Sequence, residues 1–126
     1  MGRRIFTLLI VWSASVGGMR WAAAEDSQKI WDAAPHSAFT DLIVWKGKLY
    51  CAFRVGNGHV PQKAGDEGRI RILVSNEDGQ DWNEWVVLEE PGIDLRDPKM
   101  SIHPDGRLMV LFAGSKYEGS RLVGRD

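Results

Sequence analysis

Short apolar runs separated by glycine-containing turns recur along this chain from residue 39 onward. Six such runs, rich in β-branched or other apolar side chains, are 40–45, 48–54, 69–75, 84–88, 99–103 and 107–114. After position 24 no longer stretch shows the spacing of an amphipathic helix. Short runs bounded by turn residues are typical of strands. The sequence therefore predicts an all-β domain.

Tight turns connect these runs, and one of the turns recurs. Lys46-Gly47 and Pro104-Asp105-Gly106 each join two runs, as proline presets φ and glycine accepts a positive φ. The stretches 46–50 and 105–109 share a turn glycine, a basic residue and a leucine before a strand. Four short antiparallel strands followed by a second set predict consecutive blades of a β-propeller. A small β-sandwich is the alternative.

Charge and cysteine content exclude several classes of function. The 126 residues carry a formal net charge of −1, and no basic stripe exists, so nucleic acid is not an expected partner. Cys51 is the single cysteine, which precludes an internal disulfide. It lies in an apolar run and is expected in the core, with no histidine or second cysteine at ligand spacing. We expect neither a metal nor a cofactor.

The first 24 residues differ from the rest. Arg3 and Arg4 precede an apolar run over 5–12, and three alanines end the segment at 22–24. This order is typical of a signal peptide, which predicts a mature chain from Glu25 and a secreted or periplasmic protein. The run is too short for a transmembrane segment, because a spanning helix needs about 20 apolar residues. A buried N-terminal helix is the alternative.

Residues 75–82 contain the most specific motif. They resemble the Asp box, Ser-x-Asp-x-Gly-x-x-Trp, through Ser75, Gly79 and Trp82, with Glu77 at the usual aspartate position. An acidic side chain here accepts bonds from the turn amides, and Asp78 is a second candidate for that role. Glycine adopts the left-handed conformation and the tryptophan packs back on the sheet. We expect a structural role.

With its flanking strands, the motif makes the chain similar to the first blade of the sialidase (neuraminidase) superfamily. The resemblance implies a six-bladed propeller built from four-stranded blades. Blade one would span 39–90 and part of blade two 94–126, after a lead-in at 25–38. Two blades cannot close a ring, since at least about four are needed. The resemblance thus implies a partial propeller, from a family of glycoside hydrolases, that is inactive alone.

The resemblance also implies functional residues. Sialidases bind the carboxylate of their substrate with arginines, and Arg54 matches one of these positions. An arginine expected at the start of the first strand is replaced by Phe39-Thr40-Asp41. A loop acid would act in proton transfer, for which Asp66 and His59 are the catalytic candidates, with Glu67 as another choice.

Strand order places several polar residues at one edge of the sheets, which we call the loop-rich edge. The connection after the second strand and the link between the two sets of strands meet there. We expect Asp41, Arg54, Arg96 and Asp97 to contact substrate there, with Asp41 or Asp97 paired to an arginine.

Three functions stay open on these grounds. The first is a glycoside hydrolase acting on a glycan, and the second is a non-catalytic glycan-binding or interaction propeller. The third is a truncated remnant with neither role. In each case the open blade edges predict self-association.

Overall fold

The computed structural model describes residues 27–125, and this part of the chain is all-β, without a helix. Its seven strands form two antiparallel sheets, one of four strands and one of three, and the sheets do not close into a ring. Nothing in the described part is a helix long and apolar enough to cross a membrane. The proposed signal peptide, residues 1–24, lies outside the described residues.

The first sheet is a meander in which each strand pairs with its neighbour in sequence, in the order β1-β2-β3-β4. Its strands are β1 (His36–Trp45), β2 (Lys48–Gly56), β3 (Arg69–Asn76) and β4 (Asn83–Leu88). Lys46 and Gly47 both have positive φ, 48° and 70°, which is the two-residue hairpin geometry that matches strand twist. The predicted strands are thus present, and β1 begins at His36, before the predicted start of the domain at 39.

The second sheet repeats the beginning of the first. It contains β5 (Asp94–Ile102), β6 (Leu108–Glu118) and β7 (Arg121–Arg125). The turn at Pro104-Asp105-Gly106 joins β5 to β6, with Gly106 at φ 84°. The run expected at 99–103 is the second half of a longer strand. β7 was not predicted, because it is short and contains two arginines and a glycine.

Both sheets open with a bulged strand. The register of β1 on β2 shifts between Ala38 and Asp41, and that of β5 on β6 shifts between Arg96 and Lys99. Phe39 has φ 59° and Asp97 has φ 51°, so the residue with left-handed backbone follows the last regular pair in each case. The sheets therefore share a local irregularity as well as a turn.

The core lies on both faces of the first sheet. On one face, a cluster around Tyr50, Ile70 and Ile72 packs against Leu95 and Met100 of β5. On the other face, Cys51, Phe53, Val55 and Leu73 are covered by Trp82 and by the lead-in residues Ile30, Trp31 and Ala34. Burial of both faces explains why β2 reads as a continuous apolar run.

Candidate functional site

At the loop-rich edge two arginines share one carboxylate. Arg54 Nη2 lies 2.5 Å from Asp94 Oδ1, and both side chains are fully buried. Arg96 donates from Nε to Asp94 Oδ2, and its side chain is 13% exposed. Arg54 comes from the end of β2, whereas Asp94 and Arg96 open β5. The cluster therefore joins the two sheets.

The same cluster holds the long connection between β2 and β3, residues 57–68. The amide of Gly68 donates to Asp94 Oδ1 at 2.5 Å, and the Leu95 amide donates to the Gly68 carbonyl at 2.9 Å. Arg54 Nη1 donates to the carbonyl of Gly58 at 2.9 Å, and Arg96 Nη2 donates to that of His59. Each end of the connection is thus tied to a buried charge.

Two opposing effects act on the pKa of Asp94. Burial alone would raise the pKa of this carboxyl, because a charge is disfavoured away from water. Hydrogen bonds from Arg54, Arg96 and the Gly68 amide outweigh burial and hold the pKa below the usual value of 3.8. Asp94 is therefore a carboxylate at neutral pH, and two positive charges face one negative charge.

The prediction that Arg54 and Arg96 lie at the same edge is confirmed. The prediction that Asp41 or Asp97 pairs with one of them is wrong. Asp41 lies within β1 and accepts a hydrogen bond from the Met100 amide at 2.6 Å. Asp97 is exposed at the bulge of β5, with φ 51°, and forms no ion pair with Arg54 or Arg96 among the described residues. Asp94 is the described acid that forms ion pairs with both arginines.

Aromatic rings lie close to the guanidinium group of Arg96, the less buried of the two arginines. The Cζ of Arg96 lies 6.0 Å from the ring centroid of Phe39 and 5.4 Å from that of Tyr117. The exposed ring of His59 is 5.8 Å from Phe39 and 5.6 Å from the half-buried ring of His36. Burial lowers the pKa of His36, and the positive charges of Arg54 and Arg96 act in the same direction. Phe39, His59 and Tyr117 thus lie near the Arg96 side chain, and we call these four residues the Arg96 surface.

The predicted proton-transfer residues lie in the 57–68 connection. Asp66 is buried and accepts a hydrogen bond from Asn57 Nδ2 at 2.7 Å, which is the main cause of a pKa below its ordinary value. Glu67 accepts from the Gly65 amide at 2.7 Å. Asp66 is therefore suited to accept a hydrogen bond near neutral pH and is a poor proton donor there.

The turn at residues 75–82, which resembles an Asp box in sequence, lies at the opposite edge. Asp78 Oδ1 accepts from the Gln80 amide at 3.1 Å, Gly79 has φ 68°, and Trp82 Nε1 donates to the Gly79 carbonyl at 2.8 Å. The buried Ser75 lies next to the last residue of β3, beside the turn. Glu77 makes no hydrogen bond to this turn among residues 27–125, and its carboxylate lies beside Gly47. Of the two acids, Asp78 is thus the one that accepts a hydrogen bond from a turn amide.

The described residues contain no group of three histidine, cysteine, aspartate or glutamate side chains that could hold a metal ion. Cys51 is buried in the core. Burial and, to a smaller extent, the nearby Asp41 raise the pKa of its thiol to about 11, so the reactive thiolate is scarce at neutral pH.

Four residues at this edge have no site role in the sequence analysis: Asp94, Gly68, Phe39 and Tyr117. Asp94 lies two positions before Arg96, and such residues share one face of a strand, so that spacing was a usable signal. Gly68 is required because a Cβ there would lie 2.2 Å from Arg54 Nε. No local pattern points to Phe39 or Tyr117, which approach Arg96 from β1 and β6 through the packing of the sheets.

No protein-family model, curated protein or solved structure gives a significant match to this chain.

Proposed function

We propose that residues 36–125 form two consecutive blades of a sialidase-like β-propeller, and that their loop-rich edge binds a glycan. The observation that carries this proposal is the structural repetition between the sheets. Each has a bulged first strand and a tight hairpin turn after it, and β5 packs across a face of the first sheet. The Asp-box turn between β3 and β4 adds to this likeness. As consecutive blades, the sheets would have β1 and β5 innermost.

Glycan binding is supported by the chemistry around Arg96. Phe39 and Tyr117 supply aromatic faces, which pack against the C–H faces of sugar rings. Arg96 and the exposed His59 supply donors for hydroxyl or carboxylate oxygens. A few polar groups among aromatic side chains are typical of a small-molecule site.

Within this chain the side chains favour binding over catalysis. Arg54 is fully buried and occupied by Asp94 and the Gly58 carbonyl, so it is not offered to a ligand. Asp66, the first catalytic candidate, is held ionised by its hydrogen bonds and lacks the raised pKa of a general acid. We propose non-catalytic glycan binding for these residues. Hydrolysis belongs, in this proposal, to a whole propeller in which other blades complete the site.

Saturation-transfer NMR of the mature chain with a panel of neutral and sialylated oligosaccharides tests the proposal. We expect saturation of sugar ring protons, and binding weakened about fivefold to tenfold by Phe39→Ala, the loss of one aromatic contact. Trp85→Ala is the matched control, since Trp85 is an exposed aromatic on β4. We expect no hydrolysis of a fluorogenic sialoside. Binding unaffected by Phe39→Ala, or turnover of the sialoside, would contradict the proposal.

A further inference from the structure

A depression in the protein surface lies beside the Arg96 surface. It is a cleft of about 250 Å³ between the 57–68 connection and the β6–β7 hairpin. Residues that line it are Pro61, Lys63, Glu67, Gly92, Tyr117 and Gly119. Its charged side chains, Lys63 and Glu67, take no part in the Asp94 cluster described above. The cleft is thus a distinct feature of the same edge.

The size of the cleft limits what can occupy it. Pockets for drug-sized ligands measure about 300–1,000 Å³, so a volume just below this range suits a single ring-sized unit. One wall comes from the first sheet's long connection and the other from the second sheet. Any ligand in the cleft therefore contacts both sheets.

The charge of the cleft favours an uncharged ligand with hydroxyl groups. Lys63 is a donor and Glu67 an acceptor, and their charges cancel. The bond from the Gly65 amide to Glu67 Oε2 fixes the carboxylate before a ligand arrives. A hydroxyl group both donates and accepts, so adjacent sugar hydroxyls can satisfy both side chains. A ligand carboxylate would be attracted by Lys63 but repelled by Glu67.

Tyr117 connects the cleft to the proposed glycan site. Its ring lines the cleft, and the same ring lies 5.4 Å from the Cζ of Arg96. A chain of sugar units crossing from the Arg96 surface would reach the cleft past this ring. The aromatic ring also provides a face on which a sugar ring can pack.

From this geometry we infer that the cleft of Lys63, Glu67 and Tyr117 is a subsite for an uncharged hexose unit of the bound glycan. This inference rests on the proposed function, which concerns the Arg96 surface, and it adds a second contact with a different preference. The Arg96 surface carries an excess of positive charge, whereas the cleft is balanced.

Titration of the ¹⁵N-labelled mature chain with methyl β-D-galactopyranoside, and separately with N-acetylneuraminic acid, tests the subsite. The galactoside is expected to shift amide signals of residues 61–67 and 117–119. Tyr117→Ala should weaken its binding about tenfold, and Tyr117→Phe, which keeps the ring, less than about threefold. Lys63→Ala should weaken binding about fivefold, while Lys48→Ala, an exposed lysine at the opposite edge, should have no effect.

The outcomes separate the two proposals. Galactoside shifts confined to residues 36–39 and 59, and unaffected by Lys63→Ala, would overturn the subsite and leave the proposed glycan site standing. Tighter binding of N-acetylneuraminic acid than of the galactoside in the cleft would overturn the preference for an uncharged unit. Absence of shifts with either sugar would overturn both proposals.

Discussion

Arg54 and Asp94 show how a fully buried charge is tolerated in this protein. A buried ion costs several kcal/mol of solvation unless a partner and hydrogen bonds compensate it. Asp94 receives bonds from two guanidinium groups and one backbone amide, and Arg54 reaches both Asp94 and the Gly58 carbonyl. Arg54 Nε has no such partner among the described residues. The carboxylate of Asp94 thus has its hydrogen-bonding capacity well satisfied, whereas the guanidinium of Arg54 has one N–H without an acceptor.

The close approach of Gly68 to Arg54 predicts that Gly68→Ala destabilises the chain. The new Cβ would lie 2.2 Å from Arg54 Nε and 2.6 Å from Cζ, and the buried side chain has no room to move away. We expect a loss of about 1–3 kcal/mol in the free energy of unfolding, measured by urea denaturation. Gly58→Ala is the matched control, because its Cβ would meet only the Val60 carbonyl at 3.6 Å. Equal stability of the two variants would contradict this account.

The lowered pKa of Asp94 predicts a pH dependence of stability. A carboxyl whose pKa is lower in the folded state stabilises above its unfolded pKa, and this contribution is lost as pH falls through the folded value. Asp94→Asn should cost about 3–5 kcal/mol at neutral pH, because two arginines then face each other without a compensating charge.

Stability measured from pH 7 down to pH 2 checks this prediction. The original chain should lose stability as pH falls below about 4, and Asp94→Asn should lose less over the same range. Asp66 and Asp105 also have lowered pKa values, so some acid sensitivity should remain in the variant. Identical pH profiles would show that Asp94 is not the group responsible.

Among the elements, the turn at residues 75–82 gives a direct comparison of two neighbouring acids. Asp78→Ala should lower the free energy of unfolding by about 0.5–1.5 kcal/mol, because it removes the acceptor of the Gln80 amide. Glu77→Ala should change it by less than about 0.5 kcal/mol, as is usual for an exposed side chain. Thermal unfolding of both variants measures the difference. A larger loss of stability in Glu77→Ala than in Asp78→Ala would mean that Glu77, and not Asp78, stabilises the turn.

The strands and turns could be predicted because their signals are local. Alternation and apolar runs located the first six strands at least in part, and Lys46-Gly47 marked a hairpin that is present. The partner of Arg54 could not be predicted in this way. Asp94 and Asp97 both lie close to Arg96 in sequence, but Asp94 is buried between the sheets whereas Asp97 is exposed at the bulge of β5. Which of these acids pairs with Arg54 depends on how the two sheets pack together, and no single segment of the sequence shows it.

At the scale of the whole molecule, apolar side chains remain exposed on both sheets. Leu42 and Val44 of β1 are 58% and 53% exposed, and Leu111 and Phe112 of β6 are 58% and 43% exposed. Exposed apolar surface and unpaired outer strands favour association.

We therefore expect the purified mature chain to self-associate at micromolar concentration, as sedimentation velocity would measure. Leu42→Lys with Leu111→Lys should shift the distribution toward monomer. Lys48→Ala, at an exposed position of β2, serves as the control substitution. A monomer with one cooperative transition at high temperature would contradict the picture of two open blades and favour the small sandwich.

Export is a prediction about the chain as it is made in its host. If residues 1–24 are a signal peptide, N-terminal sequencing of the recovered protein should begin at or near Glu25. Recovery of an intact cytoplasmic chain beginning at Met1 would contradict export.

The order in which this chain folds follows from how its two sheets are joined. All strand pairs connect sequence neighbours, whereas the links between sheets, such as Arg54 to Asp94 and the Trp45 indole to the Gly106 carbonyl, span 40 and 61 positions. Local hairpins form faster than distant contacts, since short loops are easier to close. We therefore expect docking of the sheets to be a late event, with the two charges hydrated until it occurs. Dehydration of Arg54 and Asp94 thus falls in the last stage of folding, so substitutions there should act mainly by accelerating unfolding.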